Sequence, residues 1–197
     1  MVIKTFITPE DVLSTVDYEK IRKERRKEIT EKKRKRRLSV GPYATIYFEC
    51  YDTMWYQVHE MLRIEKGGEK QVPQELEAYN TLIPKGQELV ATLMFEIPDG
   101  EKRRLVLARL GGVEDSINIK FQHHNIRATA EGDVDRTNAA GKASAVHFIH
   151  FNFSLEQIDK IKNSNPTVIV EITHKNYNHS AIIPQDIKEE ITTDLLV

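Results

Sequence analysis

The sequence predicts an α+β fold: a basic N-terminal helix lying on a mixed-sheet body that contains a duplicated strand–helix–hairpin unit. Three observations carry this. Residues 20–37 hold twelve Lys/Arg against three Glu. β-Branched and aromatic residues mark a strand at 44–50, and apolar alternation marks strands at 88–97 and 144–153. The order strand–helix–strand–turn–strand runs twice, over 88–131 and 144–183. The chain divides on this reading into a basic arm, 1–43, and one α+β body, 44–197.

Charge sharpens the division. Residues 1–37 carry 13 basic and 7 acidic side chains, net +6, and the remainder carries 16 and 23, net −7. At 197 residues with 40% apolar and 30% charged side chains, the composition is that of a globular chain with an ample core. No apolar run reaches the length of a membrane span, so no membrane partner is expected, and no signal peptide opens the chain. Cys50 is the only cysteine, which excludes an internal disulfide and points to a cytoplasmic setting.

In chain order, Thr8-Pro9-Glu10-Asp11 opens a short helical piece, and a second start at Thr15–Asp17 begins the long helix. Glu19–Lys23, Glu28–Lys32 and Glu31–Lys35 have the spacing of favourable i,i+4 pairs. Tyr18, Ile21 and Ile29 form a thin stripe, so the helix should rest on the body by its first half and be solvated along its second. Asp52 reads as the cap of a helix over 53–66, and Pro73–Leu82 as another. Pro98-Asp99-Gly100 leads into a helix to Leu110 with Leu105, Leu107, Ala108 and Leu110 as buried candidates. Residues 132–142 form a polar loop. Ser154 with Gln157 makes a capping box, with Ile158 and Ile161 inward. The helical connection over 154–166 suits a parallel crossover. The two hairpin turns align as His124-Asn125-Ile126-Arg127 against His174-Lys175-Asn176-Tyr177. Pro184 begins a last helix.

The candidate site residues fall into three groups. His123, His124, His174 and His179 read as turn histidines that, with Glu131, Asp133 or Asp135, could hold a divalent metal and support a metal-dependent enzyme. Glu60, Arg63 and Glu65 share a short helix and could orient a polar ligand, as could Arg36 and Arg37 at the end of the basic tract. His147 shares a strand face with Ile149 and Phe151 and is expected to be a buried, structural imidazole. No phosphate-binding glycine loop, dinucleotide fingerprint or nucleophile elbow is present, and His59-Glu60 lacks the second histidine of a zinc-protease motif. No catalytic residue or required cofactor is indicated, and the chain leans away from being an enzyme. The basic helix 20–37 reads as a solvated face, a surface for an acidic protein partner or a second copy of the chain, or, less favoured, a nucleic-acid contact. Nucleic acid is less favoured because the body is acidic and no aromatics interleave with the cations.

The stretches Arg36-Arg37-Leu38-Ser39-Val40-Gly41-Pro42, Glu60-Met61-Leu62-Arg63-Ile64-Glu65, Glu77-Ala78-Tyr79-Asn80-Thr81-Leu82-Ile83-Pro84, Ser144-Ala145-Val146-His147-Phe148 and His174-x-x-Tyr177 resemble those of a bacterial family known as a domain of unknown function, number 3501. The likeness spans nearly the whole chain in one order. It implies no reaction. It implies a setting beside rubrerythrin-like and iron–sulfur oxidoreductase proteins, hence a non-catalytic accessory or binding role in redox or peroxide defence with redox-protein partners. The family's hairpin turns read His-Pro, whereas Asn125 and Lys175 follow the histidines here.

Overall fold

The computed structural model describes residues 4–131 and 142–196. The expected loop at 132–142, apart from Lys142, and the candidate ligands Asp133 and Asp135 lie outside the described residues.

A 3₁₀ turn at Pro9–Asp11 precedes helix α1, Thr15–Arg34, whose N-cap Ser14 accepts a hydrogen bond from the Asp17 N–H. Strands β1 (Arg37–Val40) and β2 (Ala44–Phe48) follow, then helices α2 (Tyr51–Glu65) and α3 (Val72–Asn80). The first copy of the repeated unit is β3 (Glu88–Phe95), α4 (Gly100–Leu107), β4 (Ile117–Phe121) and β5 (His124–Arg127), with β6 (Thr129–Ala130) appended. The second copy is β7 (Val146–Asn152), α5 (Leu155–Asn163), β8 (Val168–His174) and β9 (Tyr177–Ile182), after which α6 (Gln185–Ile191) closes the fold. The cap of α2 is Cys50 rather than Asp52; the Thr53 hydroxyl accepts from the Cys50 N–H and donates to its carbonyl. The Ser154–Gln157 capping box forms as read.

Two sheets result, ordered β1-β2-β3-β7-β6 and β5-β4-β8-β9. Every strand pairing in them is antiparallel, which corrects the mixed sheet. The expected parallel crossover at 154–166 fails for one reason: α5 carries the chain out of the first sheet at β7 and into the second at β8. A helical connection of that length serves either route. The duplication itself stands out. β3 pairs β7 with Ala91 opposite Ile149, and β4 pairs β8 with Ile119 opposite Val170, so the two copies exchange places about a pseudo-twofold. The second sheet's order, hairpin–hairpin, is symmetric about that axis.

β3 is buried on both faces, and this sets the layering. Leu89, Ala91, Leu93 and Phe95 join Ile149, Phe151, Ile119, Val170, Ile158 and Ile187 in one core shared by both sheets and by α4, α5 and α6. On the other face, Val90 packs with Met54, Val58 and Leu62 of α2, Leu76 of α3, and Ile7. Leu105 and Ala108 face solvent, contrary to expectation; α4 buries Leu107, and Leu110 is buried just beyond it.

The β1–β2 turn locks the sheets together. The Tyr177 hydroxyl donates to the Val40 carbonyl at 2.7 Å and accepts from the N–H groups of Tyr43 and Ala44 at 3.0 and 2.9 Å. Gly41 has φ +74°, and a Cβ there would lie 2.5 Å from the His179 ring, so both backbone and space demand glycine. Tyr177→Phe removes one buried hydroxyl that serves three backbone groups. It should lower unfolding free energy by about 1–3 kcal/mol in chemical denaturation with the fold retained; an unchanged midpoint would contradict this role.

Candidate functional site: the basic helix and the cleft beneath it

Helix α1 lies antiparallel along α2 for most of its length. Tyr18 and Ile29 are both buried, so the second half is not simply solvated as the stripe suggested. The centre of the contact is Glu60. Its carboxylate accepts two hydrogen bonds from Arg22, at 2.8 Å each, and one from the Tyr18 hydroxyl at 2.7 Å. Arg22, more than any other neighbour, holds the Glu60 carboxyl below its ordinary pKa, while burial pushes the Tyr18 phenol up. Arg63 pairs Glu19 at one end and Lys32 pairs Asp52 at the other. The i,i+4 pairs read from the sequence are replaced in part by these contacts between helices, because Glu19 and Lys32 find partners on α2.

Between the clamps, His59 is 2% exposed. Its Nε2 accepts from the Leu13 N–H at 3.0 Å, and its Nδ1 donates to the Trp55 carbonyl at 2.7 Å. That pattern requires the neutral ring, and burial lowers its pKa accordingly. Trp55 lies 3.9 Å from it, ring to ring, and donates Nε1–H to the Asp11 carbonyl. The N-terminal segment, α1 and α2 are thus one packed unit.

A cleft of about 270 Å³ opens between them, walled by Ile29, Tyr51, Trp55 and Tyr56. Its charges are matched: Lys4 with Asp11, Arg25 with Glu28, Lys32 with Asp52. A neighbouring cavity beyond Tyr51 reaches Cys50 and Arg36. Cys50 is 5% exposed and burial raises its pKa, so the thiol is in a form poorly suited to nucleophilic or redox chemistry. Arg36 is 2% exposed and bound to Asp194 and Glu190. The outer face of α1 differs. Lys23, Arg26 and Lys27, and Lys35 at the C-cap, are exposed and have no carboxylate in ion-pair range among the described residues.

The sequence-derived candidates do not assemble. Glu60, Arg63 and Glu65 point to Arg22, Glu19 and Gln71 respectively, so they clamp helices instead of framing a ligand. Arg36 is buried, whereas Arg37 is exposed on β1. His123 sits in the Gln122-His123 turn and His124 begins β5. His174 ends β8 at the opposite end of the same sheet, roughly 20 Å away at about 3.4 Å per residue from Val168, the partner of Phe121. His179 lies within β9, not in a turn, against Tyr177. The hairpins superpose Phe121 on His174 and His124 on Tyr177, which corrects the histidine-on-histidine alignment. Among the described residues no three His, Cys, Asp or Glu side chains converge in a metal-binding set. His147 is 1% exposed and donates from Nε2 to the Ser144 carbonyl at 3.0 Å, with Nδ1 3.7 Å from Glu114. Sequence reading weighed His59 only as half of an incomplete metal motif and missed His150. Alternation places His150 on the face opposite His147, and its partners Glu88 and Glu131 are distant in sequence.

The family described as "Protein of unknown function (DUF3501)" matches residues 6–195. The chain belongs to this family. A crystal structure of a protein of unknown function from Burkholderia pseudomallei K96243 shares the fold at TM-score 0.89 and 33% identity, covering 96% of this chain and 99% of that one. No curated protein matches the chain. No helix among the described residues is long and apolar enough to cross a membrane.

Glu60→Ala leaves Arg22 and Tyr18 without their shared acceptor. It should cost about 1–3 kcal/mol and reduce hydrogen-exchange protection along 18–30 while the Val170 and Ile119 amides stay protected. Uniform loss across the chain, or no loss, would show that Glu60 is not the clamp. Because the Glu60 pKa is depressed in the fold, its contribution is present above the ordinary glutamate pKa and lost as pH falls through the lower folded value.

Proposed function

We propose that this chain is a non-catalytic binding protein that presents the outer face of α1 to an acidic protein partner. The observation that supports it is the contrast between the two faces of one helix. The inner cations, Arg22, Lys32 and the buried Arg36 just beyond the helix, are consumed in fixed ion pairs. The outer ones, Lys23, Arg26 and Lys27, with Lys35 at the C-cap on another side, are held on a clamped helix with no ion-pair partner among the described residues. A preorganised charge row loses little entropy on binding, and its field steers an oppositely charged partner. The family resemblance adds the setting: a partner from redox or peroxide defence. A second copy of the acidic body is an alternative occupant with the same chemistry, and a divalent metal held by the turn histidines is the reading that finds least support.

The test is fluorescence anisotropy with a labelled poly-glutamate peptide and a duplex DNA, at about 50 and about 200 mM salt. The peptide should bind, and Lys23→Glu with Lys27→Glu should abolish binding without altering the thermal midpoint. DNA bound more tightly than peptide, with a steep salt slope, would replace the protein partner with nucleic acid. No binding of either would overturn the proposal. Concentration-dependent dimerisation reversed by the same two substitutions would assign the face to self-association.

A further inference from the structure

The face of the first sheet that α2 and α3 cover holds a second charged constellation, apart from α1. His150 stands in the middle of β7, with Val90 of β3 opposite on one side and Thr129 of β6 on the other. Its Nδ1 lies 2.8 Å from a Glu88 carboxylate oxygen and its Nε2 lies 3.0 Å from a Glu131 carboxylate oxygen. All three side chains are largely buried, at 18%, 14% and 23% exposure. A carboxylate only accepts, so both ring nitrogens must donate, and the ring that fits is the imidazolium. The carboxylates sit on opposite edges of the ring and cannot converge on one cation.

The three groups join three strands. Glu88 begins β3, His150 is central in β7, and Glu131 follows β6, its own N–H donating to the Phe148 carbonyl at 3.1 Å. β6 is only two residues long and among the described residues pairs with β7 alone, its one apolar anchor being Ala130 against the core. The other oxygen of Glu88 accepts from the Lys85 N–H at 3.2 Å, but the Lys85 ammonium is turned to the carbonyls of Thr5 and Asn80. Among the described residues the charged groups facing the ring are thus Glu88 from β3 and Glu131 from the end of β6.

We propose that Glu88, His150 and Glu131 form a pH-sensitive latch: the imidazolium pins the end of β6 to the sheet, and loss of its proton releases Glu131 and β6. The proton lost is one ring N–H, taken up by solvent. One hydrogen bond then disappears, and two carboxylates remain beside a neutral ring. The Glu88 hydrogen bond, then the Glu131 one, outweigh burial and raise the imidazole pKa above its ordinary value near 6.5. A histidine raised in the folded state stabilises fully below the ordinary value and loses that contribution as pH rises through the higher one. The latch therefore opens as pH rises above the ordinary histidine value.

Amide exchange read by NMR tests this. Between about pH 5.5 and about pH 9 the protection factor of the Glu131 amide should fall by about tenfold or more, while that of Ile183, bonded to Val168 in the second sheet, stays constant. His150→Gln should give the low protection at both pH values. Should that variant misfold, Glu131→Gln keeps the backbone and one oxygen and should flatten the pH dependence alone. A Glu131 amide equally protected across the range in the native chain would overturn the latch. A pH dependence that survives either substitution would overturn it too.

Discussion

Arg36 occupies a position on which several otherwise separate parts of the molecule depend. It stands two residues beyond α1 and immediately before β1, with its side chain 2% exposed. Its guanidinium reaches Asp194 at 2.7 and 3.1 Å and Glu190 at 2.9 Å, from the last helical turns of the chain. Its carbonyl accepts from the Phe48 N–H at 2.7 Å. One residue thereby sets the angle at which the basic helix enters the first sheet and fastens the C-terminus beneath it. Burial is the largest influence and would lower its pKa; its acidic neighbours together, Asp194 foremost, more than reverse that, and the charge persists. An ion pair of this kind adds modest net stability against an apolar replacement, yet leaving one member alone is costly, so its value lies in fixing register.

The constraint explains how a helix with so thin an apolar stripe can be a scaffold. α1 buries only Tyr18 and Ile29 fully, too little for independent stability. Its C-terminal end is anchored through Arg36 and its middle through Glu60, and the intervening cations are left to face outward. The basic tract is thus two populations of residue with one composition: those that assemble the fold and those that the fold displays.

Much of the architecture was legible because strong local rules acted alone. Ser154 caps α5 as its hydroxyl and Gln157 indicate, Pro98-Asp99-Gly100 leads into α4, and β7 alternates without interruption. The duplication was visible in the order of elements. What could not be read was partnership at long range. Nothing local distinguishes a helix that returns a chain to the same sheet from one that crosses to another, which is why α5 misled. Arg36 looks like its neighbours Lys35 and Arg37, and its partners lie more than 150 residues away. The turn histidines shared a pattern but not a register: a three-residue offset in pairing moved His174 before its turn and His124 after it. Glu60 and Arg63 were recognised as a polar set, yet their ligands proved to be Arg22 and Glu19 of the same chain.

The most direct measurement is hydrogen exchange combined with chemical denaturation of Arg36→Ala. The account predicts a loss of about 3–5 kcal/mol, the scale for stripping one member from a buried ion pair. It further predicts that protection falls together at the Phe48 amide in the first sheet and at the Leu196 amide, which donates to the Gly86 carbonyl at 2.7 Å. A loss below about 1 kcal/mol, or a change confined to one of those two amides, would contradict the claim that Arg36 joins the helix, the sheet and the C-terminus into one unit.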